Sequence, residues 1–387
     1  MTNKLIFRIK RKINFTIFLI NNFKFFFDKL MLIIKSKFVR KKIFYEYEDV
    51  PQYDQDTKNI VNKINFKTIE YYKKFSESKN DINQWLKNKN LIISKINEVL
   101  VNREKNDITV DSLLKYGIQN FEKKILNIID TQEIIENFKN LKVYPAHVPI
   151  FSLKKKESIS IIKKISPFGT YDQIDILKDK KLLSFITNKE ILDHAIKFFG
   201  CIPTLANINL YWSFIFNKRT GPQNYHRDID DYKVLNVFMN LTETSKNNGS
   251  YEHIQFSHDY DFIKNNLNNI DELKEDLSNF FNINYNGYGN DIFLKNKYFK
   301  DKIKEIYGVP GSINLADGFG LHRAVPPTIN DRLVLWMTFG IKQTSHERTK
   351  NKYQKRIKFK DVKLKTFEKN LINKYVYRHL IDFSDEK

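Results

Sequence analysis

Cysteine is nearly absent. A single residue, Cys201, in a chain of 387 excludes a disulfide framework, an iron–sulfur cluster and a cysteine-based zinc site. It fits a reducing compartment, and a cytoplasmic location is the expectation. Glycine (12) and proline (9) are scarce, which excludes collagen-like and low-complexity architecture. Long apolar runs are also missing. The N-terminal stretch is apolar but broken by Asn21, Asn22, Lys24, Asp28 and Lys29, so it falls short of the about 18 uninterrupted residues of a spanning helix. No small-residue cleavage site follows it, so a signal peptide is not expected either. There is no internal repeat. The body has no excess of either charge: residues 43–341 carry 40 Lys/Arg and 38 Asp/Glu, although the whole chain is +21. A nucleic-acid enzyme more often lines its body with positive charge, so no specific nucleic-acid partner is expected.

The positive charge sits at the ends. Residues 1–42 hold 12 Lys/Arg and one acid, Asp28; residues 342–387 hold 14 Lys/Arg and six acids. Within the first segment Ile9, Ile13, Ile20, Phe23, Phe27, Met31, Ile34 and Phe38 recur at helical steps with one double step. Two readings stand: a helix packed on the body, or a basic amphipathic helix in peripheral contact with an anionic membrane surface. The aromatic content, 32 Phe and 20 Tyr, excludes a disordered chain.

The periodicity divides the chain into four parts. Residues 1–45 form the basic amphipathic segment. Residues 46–140 keep helical spacing, as in ILNIIDTQEIIENFKNL, and read as a helical region. From 141 the texture changes to aromatic, alternating runs: NINLYWSFIFNK (207–218), YKVLNVFMNLTE (232–243), SINLADG and RLVLWMTFGIK. A helix ending on Gly200 precedes them, and KNNGS (246–250) is a turn between them. Residues 141–345 therefore read as a strand-rich core with a helical insertion at about 260–305, and 346–387 as a basic C-terminal segment. The expected fold class is α+β: a jelly roll, or double-stranded β-helix, behind a helical N-terminal region.

Among eight histidines one lies in an H-x-D triplet, His226-Arg227-Asp228. In extended chain, residues i and i+2 point to one side, so an imidazole and a carboxylate converge. His322, in ADGFGLHRAVPP, is the candidate third ligand. Two His and one carboxylate with three open positions is the arrangement of non-haem Fe(II) oxygenases, and the open positions take a keto acid and dioxygen. Arg332 lies ten residues beyond His322, an even separation that can return to the same face. Its guanidinium suits the distal carboxylate of a dicarboxylic cosubstrate. The competing readings are a loop hydrogen-bond pair for His226 and Asp228, and a salt bridge to Asp331 for Arg332.

Residues 180–341 resemble the phytanoyl-CoA dioxygenase family of Fe(II)/2-oxoglutarate oxygenases. The likeness is carried by EILDHAIKFFGCIPTL, NYHRD, LNVFMNLTETSKNNGSYEHIQFSHDYD and VPGSINLADGFGLHRAVPPTINDRLVLWMTFG. The resemblance implies that His226, Asp228 and His322 hold Fe(II), that Arg332 binds the far carboxylate of 2-oxoglutarate, and that Phe238 lies beside that cosubstrate. It implies O₂ as second cosubstrate and hydroxylation of a small-molecule or lipid-like substrate. Asp228 favours hydroxylation, since halogenating relatives carry a small residue there. Two departures stand out. Gln255-Phe256-Ser257-His258 replaces the family's Pro-Gly-Ser-His. The 96 residues from His226 to His322 exceed the usual spacing, and the excess is either a surface insertion or a lid. A non-enzymatic jelly-roll binding protein and an oxygenase acting on a macromolecule are the alternatives; iron and 2-oxoglutarate binding discriminates the first.

Overall fold

The computed structural model describes residues 53–78, 81–100, 108–121, 124–146, 156–216, 221–267, 299–342 and 356–384. The basic segment 1–45 and most of the insertion, 268–298, lie outside the described residues, as does any membrane-surface helix there.

Helix starts follow side-chain caps. Asp54 accepts from Thr57 N ahead of Gln55–Lys73, and Asp81 accepts from Asn83 N and Gln84 N ahead of Ile82–Asn97. Asn127 and Asp130 close a reciprocal capping box before Ile128–Lys139. Helix Lys189–Phe199 ends on Gly200 at φ +71°, as the sequence indicates, because a left-handed terminus is cheapest without a Cβ. No helix among the described residues is long and apolar enough to cross a membrane.

Ten strands build two antiparallel sheets: β1 Ile118–Phe121, β2 Tyr144–Ala146, β3 Phe168–Thr170, β4 Thr204–Ser213, β5 Val234–Asn240, β6 Tyr251–Ile254, β7 Ile303–Ile306, β8 Ile313–Asp317, β9 His322–Ala324 and β10 Arg332–Gly340. The larger sheet has the order β1-β8-β5-β10-β4-β3-β2 and the smaller β7-β6-β9. The architecture is α+β. Strand β1 arises inside the segment read as helical. Four residues are too few to show a period of two, and its pairing partner β8 is distant in sequence.

Alternation gives the larger sheet two different faces. Leu333, Leu335, Met337 and Phe339 of β10, Leu210 of β4, and Val237 and Met239 of β5 join the helices in one apolar core with Ile64, Trp85, Ile92 and Phe185. The intervening residues face a cavity. The C-terminal segment also contributes to the core: helix Leu371–Tyr377 buries Tyr375, Val376 and Tyr377, and Lys374 pairs with Asp54 at 3.1 Å and Asp56 at 3.2 Å.

Asp231 fastens the loop after the H-x-D triplet to the end of β10. Its Oδ2 accepts from the backbone N–H of Ile341 and Lys342, both at 2.7 Å, and its Oδ1 from Tyr232 N at 2.7 Å and the Tyr72 hydroxyl at 3.2 Å. Burial pushes its carboxyl up to about 6 despite these donors.

Candidate metal centre and its cavity

Register brings the site together. His226 and His322 face each other in an isolated antiparallel bridge, with His226 N to His322 O and His322 N to His226 O both at 3.0 Å. Two residues on, Asp228 N donates to Gly318 O at 2.7 Å, so the triplet lies along the chain that leads into β9. Each imidazole donates through Nδ1 to a carbonyl, His226 to Asn224 O and His322 to Gly320 O, both at 2.8 Å. A carbonyl can only accept, so Nδ1 carries a proton and each ring turns its Nε2 the other way, the nitrogen that can ligate a metal. Those Nε2 atoms lie 3.8 Å from Asp228 Oδ1 and 3.4 Å from Asp228 Oδ2, and the three ligand-type atoms all fall within 4.8 Å of one another. All three residues are buried: His226 is 6%, Asp228 5% and His322 4% exposed. Three acceptors converging in a low-dielectric pocket repel one another until a cation or a proton sits between them. Two imidazoles and a carboxylate fit a first-row divalent ion.

Asp228 is held from behind. Asn236 Nδ2 donates to Asp228 Oδ2 at 2.6 Å. The amide cannot be reversed, because Trp336 Nε1, a donor only, bonds Asn236 Oδ1 at 2.8 Å, with the Thr338 hydroxyl at 3.3 Å. The chain Trp336–Asn236–Asp228 thus fixes the carboxylate plane. Asn236→Ala is expected to weaken Mn(II) binding about 10–100-fold, with Trp336→Phe intermediate, as measured by calorimetric titration.

Arg332 opens β10 and is 3% exposed. It does not pair with its neighbour. Asp331 turns to the other side, where its Oδ1 accepts from Ile215 N at 2.9 Å and its Oδ2 lies 3.4 Å from Lys163 Nζ. Arg332 NH1 instead donates to Gly249 O at 2.7 Å and Ser250 O at 3.1 Å, and its positive charge acts on the buried Tyr211 phenol. Among the described residues it has no carboxylate partner. Gly249 occupies the turn at φ +80°, and a Cβ there would lie 2.9 Å from Val325 O.

Arg332 and the three converging residues line one cavity with Phe238, Tyr211, Tyr251 and Trp336. Its empty space is roughly 860 Å³ including the open mouth. Register explains the lining: Asn209, Trp336, Phe238 and Asn314 stand opposite one another across β4, β10, β5 and β8. Phe238 stacks on Trp336 at 6.3 Å and leans on Tyr251 at 4.9 Å. The structure thus gathers all five residues singled out in the sequence around one space.

Several supports were not singled out. Ser257 Oγ accepts from Leu321 N at 2.7 Å and donates to Ile254 O at 2.6 Å, steadying the approach to His322. Phe256, standing where the resembled family has glycine, adopts φ +66°, a conformation unfavourable for a bulky side chain. Its ring packs on Tyr116 and Phe262. His253 is fully buried behind His322, its ring parallel within 7° at 6.4 Å, and burial holds its pKa well below the usual histidine value. The buried pair Glu252–Arg323 braces β6 to β9. Alternation marks 252 and 323 as polar positions in strands, but not that they meet.

No protein-family model matches the chain, and no curated protein matches it in sequence. Solved structures give loose likenesses. HygX from Streptomyces hygroscopicus, with nickel and 2-oxoglutarate bound, has a TM-score of 0.41 at 11% identity, covering 60% of this chain and 87% of that one. The non-heme alpha-ketoglutarate-dependent carbocyclase SnoK from nogalamycin biosynthesis gives 0.37 at 13%, covering 60% and 84%. The epimerase SnoN from the same biosynthesis gives 0.35 at 11%, covering 59% and 80%. Matches this loose assign neither fold family nor activity to the chain.

Proposed function

We propose that this chain is an Fe(II)- and 2-oxoglutarate-dependent oxygenase that hydroxylates a small-molecule or lipid-like substrate within a jelly-roll core. The observation that carries the reading is the convergence of His226 Nε2, Asp228 and His322 Nε2 on one buried point. His226, Asp228 and His322 would hold the metal, and Arg332 would take the far carboxylate of the keto acid. When bound, the iron, keto acid and dioxygen supply oxidative decarboxylation to succinate and CO₂, coupled to oxygen insertion into a substrate C–H bond.

The residues have distinct tasks. Asn224 and Gly320 carbonyls hold both imidazoles in the tautomer that presents Nε2. Asn236 donates to Asp228 Oδ2 and orients the carboxylate. The Arg332 guanidinium, aligned by the Gly249 and Ser250 carbonyls, presents a planar fork to a carboxylate. Phe238 and Trp336 give the cavity an apolar wall that limits water near the metal. Placement within the phytanoyl-CoA dioxygenase family rests on the sequence motifs alone.

The test is titration of 2-oxoglutarate into the Mn(II)-loaded protein, followed by succinate formation with Fe(II) in air. Saturable binding and succinate release are expected; failure of both removes the reading. Arg332→Lys keeps the charge and loses the fork. It should raise the 2-oxoglutarate dissociation constant by about 10–100-fold, the equivalent of one charged hydrogen bond, while Mn(II) affinity stays unchanged.

A further inference from the structure

The cavity side of the larger sheet has a polar corner that no step above uses. Asn314 of β8 stands opposite Phe238 of β5, and Asn240 lies two residues further along β5, so the two amides are diagonal neighbours on one face. Thr244 and Ile306 complete the corner, and all of these residues line the same cavity as His226, Asp228 and His322. Asn240, Thr244 and Asn314 are buried.

The hydrogen bonds of the corner are only partly made. Asn240 Nδ2 donates to Ser312 Oγ at 3.0 Å and to Thr244 Oγ1 at 3.3 Å. Thr244 gives its one hydroxyl proton to Gly308 O at 3.3 Å, so it accepts from Asn240, and the amide cannot be reversed. Asn240 Oδ1 is thus an acceptor with no partner among the described residues. Asn314, 5% exposed, makes no side-chain hydrogen bond among them, so its donor and its acceptor are both open. These open atoms are reached by solvent, whereas Arg332 Nε and the Tyr251 hydroxyl are sealed from it. Placing two such amides beside Phe238 and Ile306 is costly unless a ligand or water completes their bonds.

The chemistry of the corner sorts ligands. A carboxylate or phosphate would meet the acceptor oxygen of Asn240. An ammonium would find no acid among Asn240, Thr244 and Asn314. An alkyl chain would leave both amides unpaired. A hydroxyl or secondary amide can donate to Asn240 Oδ1 and accept from Asn314 Nδ2. We propose that Asn240 and Asn314 form a substrate subsite for an uncharged hydroxyl- or amide-bearing group, so that the substrate is a neutral polar small molecule rather than a lipid. This rests on the oxygenase reading above.

Asn314→Leu replaces the amide by an alkyl group of similar size. Wild type and variant, loaded with Mn(II) and 2-oxoglutarate, are titrated calorimetrically with neutral probes (methyl β-glucoside, myo-inositol, N-acetylglycinamide) and with octanoate and octylamine. Melting temperatures of the ligand-free proteins are measured alongside. In wild type the best neutral probe should bind at least about tenfold more tightly than either charged alkyl probe, and should raise succinate release with Fe(II) in air. The variant should bind that probe at least about tenfold more weakly, with its Mn(II) and 2-oxoglutarate dissociation constants unchanged and its ligand-free melting temperature equal or higher. Preference of wild type for octanoate or octylamine, no binding of any neutral probe, or equal neutral-probe affinity in the two proteins overturns the proposal and leaves the oxygenase reading intact. A lower ligand-free melting temperature in the variant also overturns it, since the amide would then be structural. No 2-oxoglutarate binding by wild type overturns the parent reading and this one with it.

Discussion

Asp228→Ala should abolish metal-dependent stabilisation without harming the metal-free fold. Removing this carboxylate takes one of three converging acceptors, and the only anionic one, out of the buried site. The loss in Mn(II) affinity is expected to exceed the about 10–100-fold that changes behind a ligand produce. In the metal-free state the mutation relieves repulsion between acceptors, and Asn236 loses an acceptor it otherwise holds at 2.6 Å. These effects oppose each other, so the metal-free melting temperature should move little. Wild type at 100 times its metal dissociation constant gains about 2.7 kcal/mol from mass action, and the variant at the same concentration should gain almost none. Thermal unfolding with and without Mn(II) reads this directly. An equal metal-induced rise in both proteins would show that the ion sits elsewhere. His226→Ala and His322→Ala should behave similarly, and all three should fail to release succinate.

How much of this was legible in sequence depends on the range of the interaction. The His226-x-Asp228 pairing needs only the two-residue repeat of extended chain. Arg332 facing away from Asp331 follows from the same alternation within β10. Helix caps and Gly200 are local chemistry and could be read residue by residue. What alternation cannot supply is register between strands far apart in sequence. Asn236 looks like any polar residue in an apolar strand until β10 places Thr338 opposite it and Trp336 within reach of its side-chain oxygen. Tyr211 and Tyr251 are two aromatics among many, and only the order of the sheets sets them beside Arg332 and His322. Strand β1 escaped notice for a related reason: its pairing with β8 is non-local, while the flanking residues keep helical spacing. The role of the basic C-terminal segment is equally non-local: helix Leu371–Tyr377 buries Tyr375, Val376 and Tyr377, and Lys374 pairs with Asp54 and Asp56 at the start of the first described helix.

Breaking the Glu252–Arg323 pair should cost more stability than any other single polar change at the site. Glu252 Oε2 accepts from Arg323 Nε at 2.8 Å and Oε1 from Arg323 NH2 at 3.0 Å, a two-point contact between β6 and β9. The Tyr225 hydroxyl adds a third bond to Oε2 at 2.5 Å, and the guanidinium lies over the Tyr225 ring at 4.8 Å. Both charged residues are almost wholly buried. Glu252→Ala would leave the guanidinium without its carboxylate in a low-dielectric setting, which costs about 3–5 kcal/mol when one partner of a buried pair is removed. The consequence reaches the metal site through the chain itself. Tyr225 immediately precedes His226, Arg323 immediately follows His322, and the two histidines meet in the single bridge that sets their spacing. Denaturant unfolding should therefore show a large fall in midpoint, and Mn(II) affinity should fall with it. Replacing both partners by apolar residues of similar size, Glu252→Leu with Arg323→Met, removes the unpaired charge and should recover much of the stability. If the single variant loses no more than the about 1 kcal/mol typical of exposed pairs, the guanidinium has found water or another acceptor, and the brace between β6 and β9 is not what holds the two histidines in register.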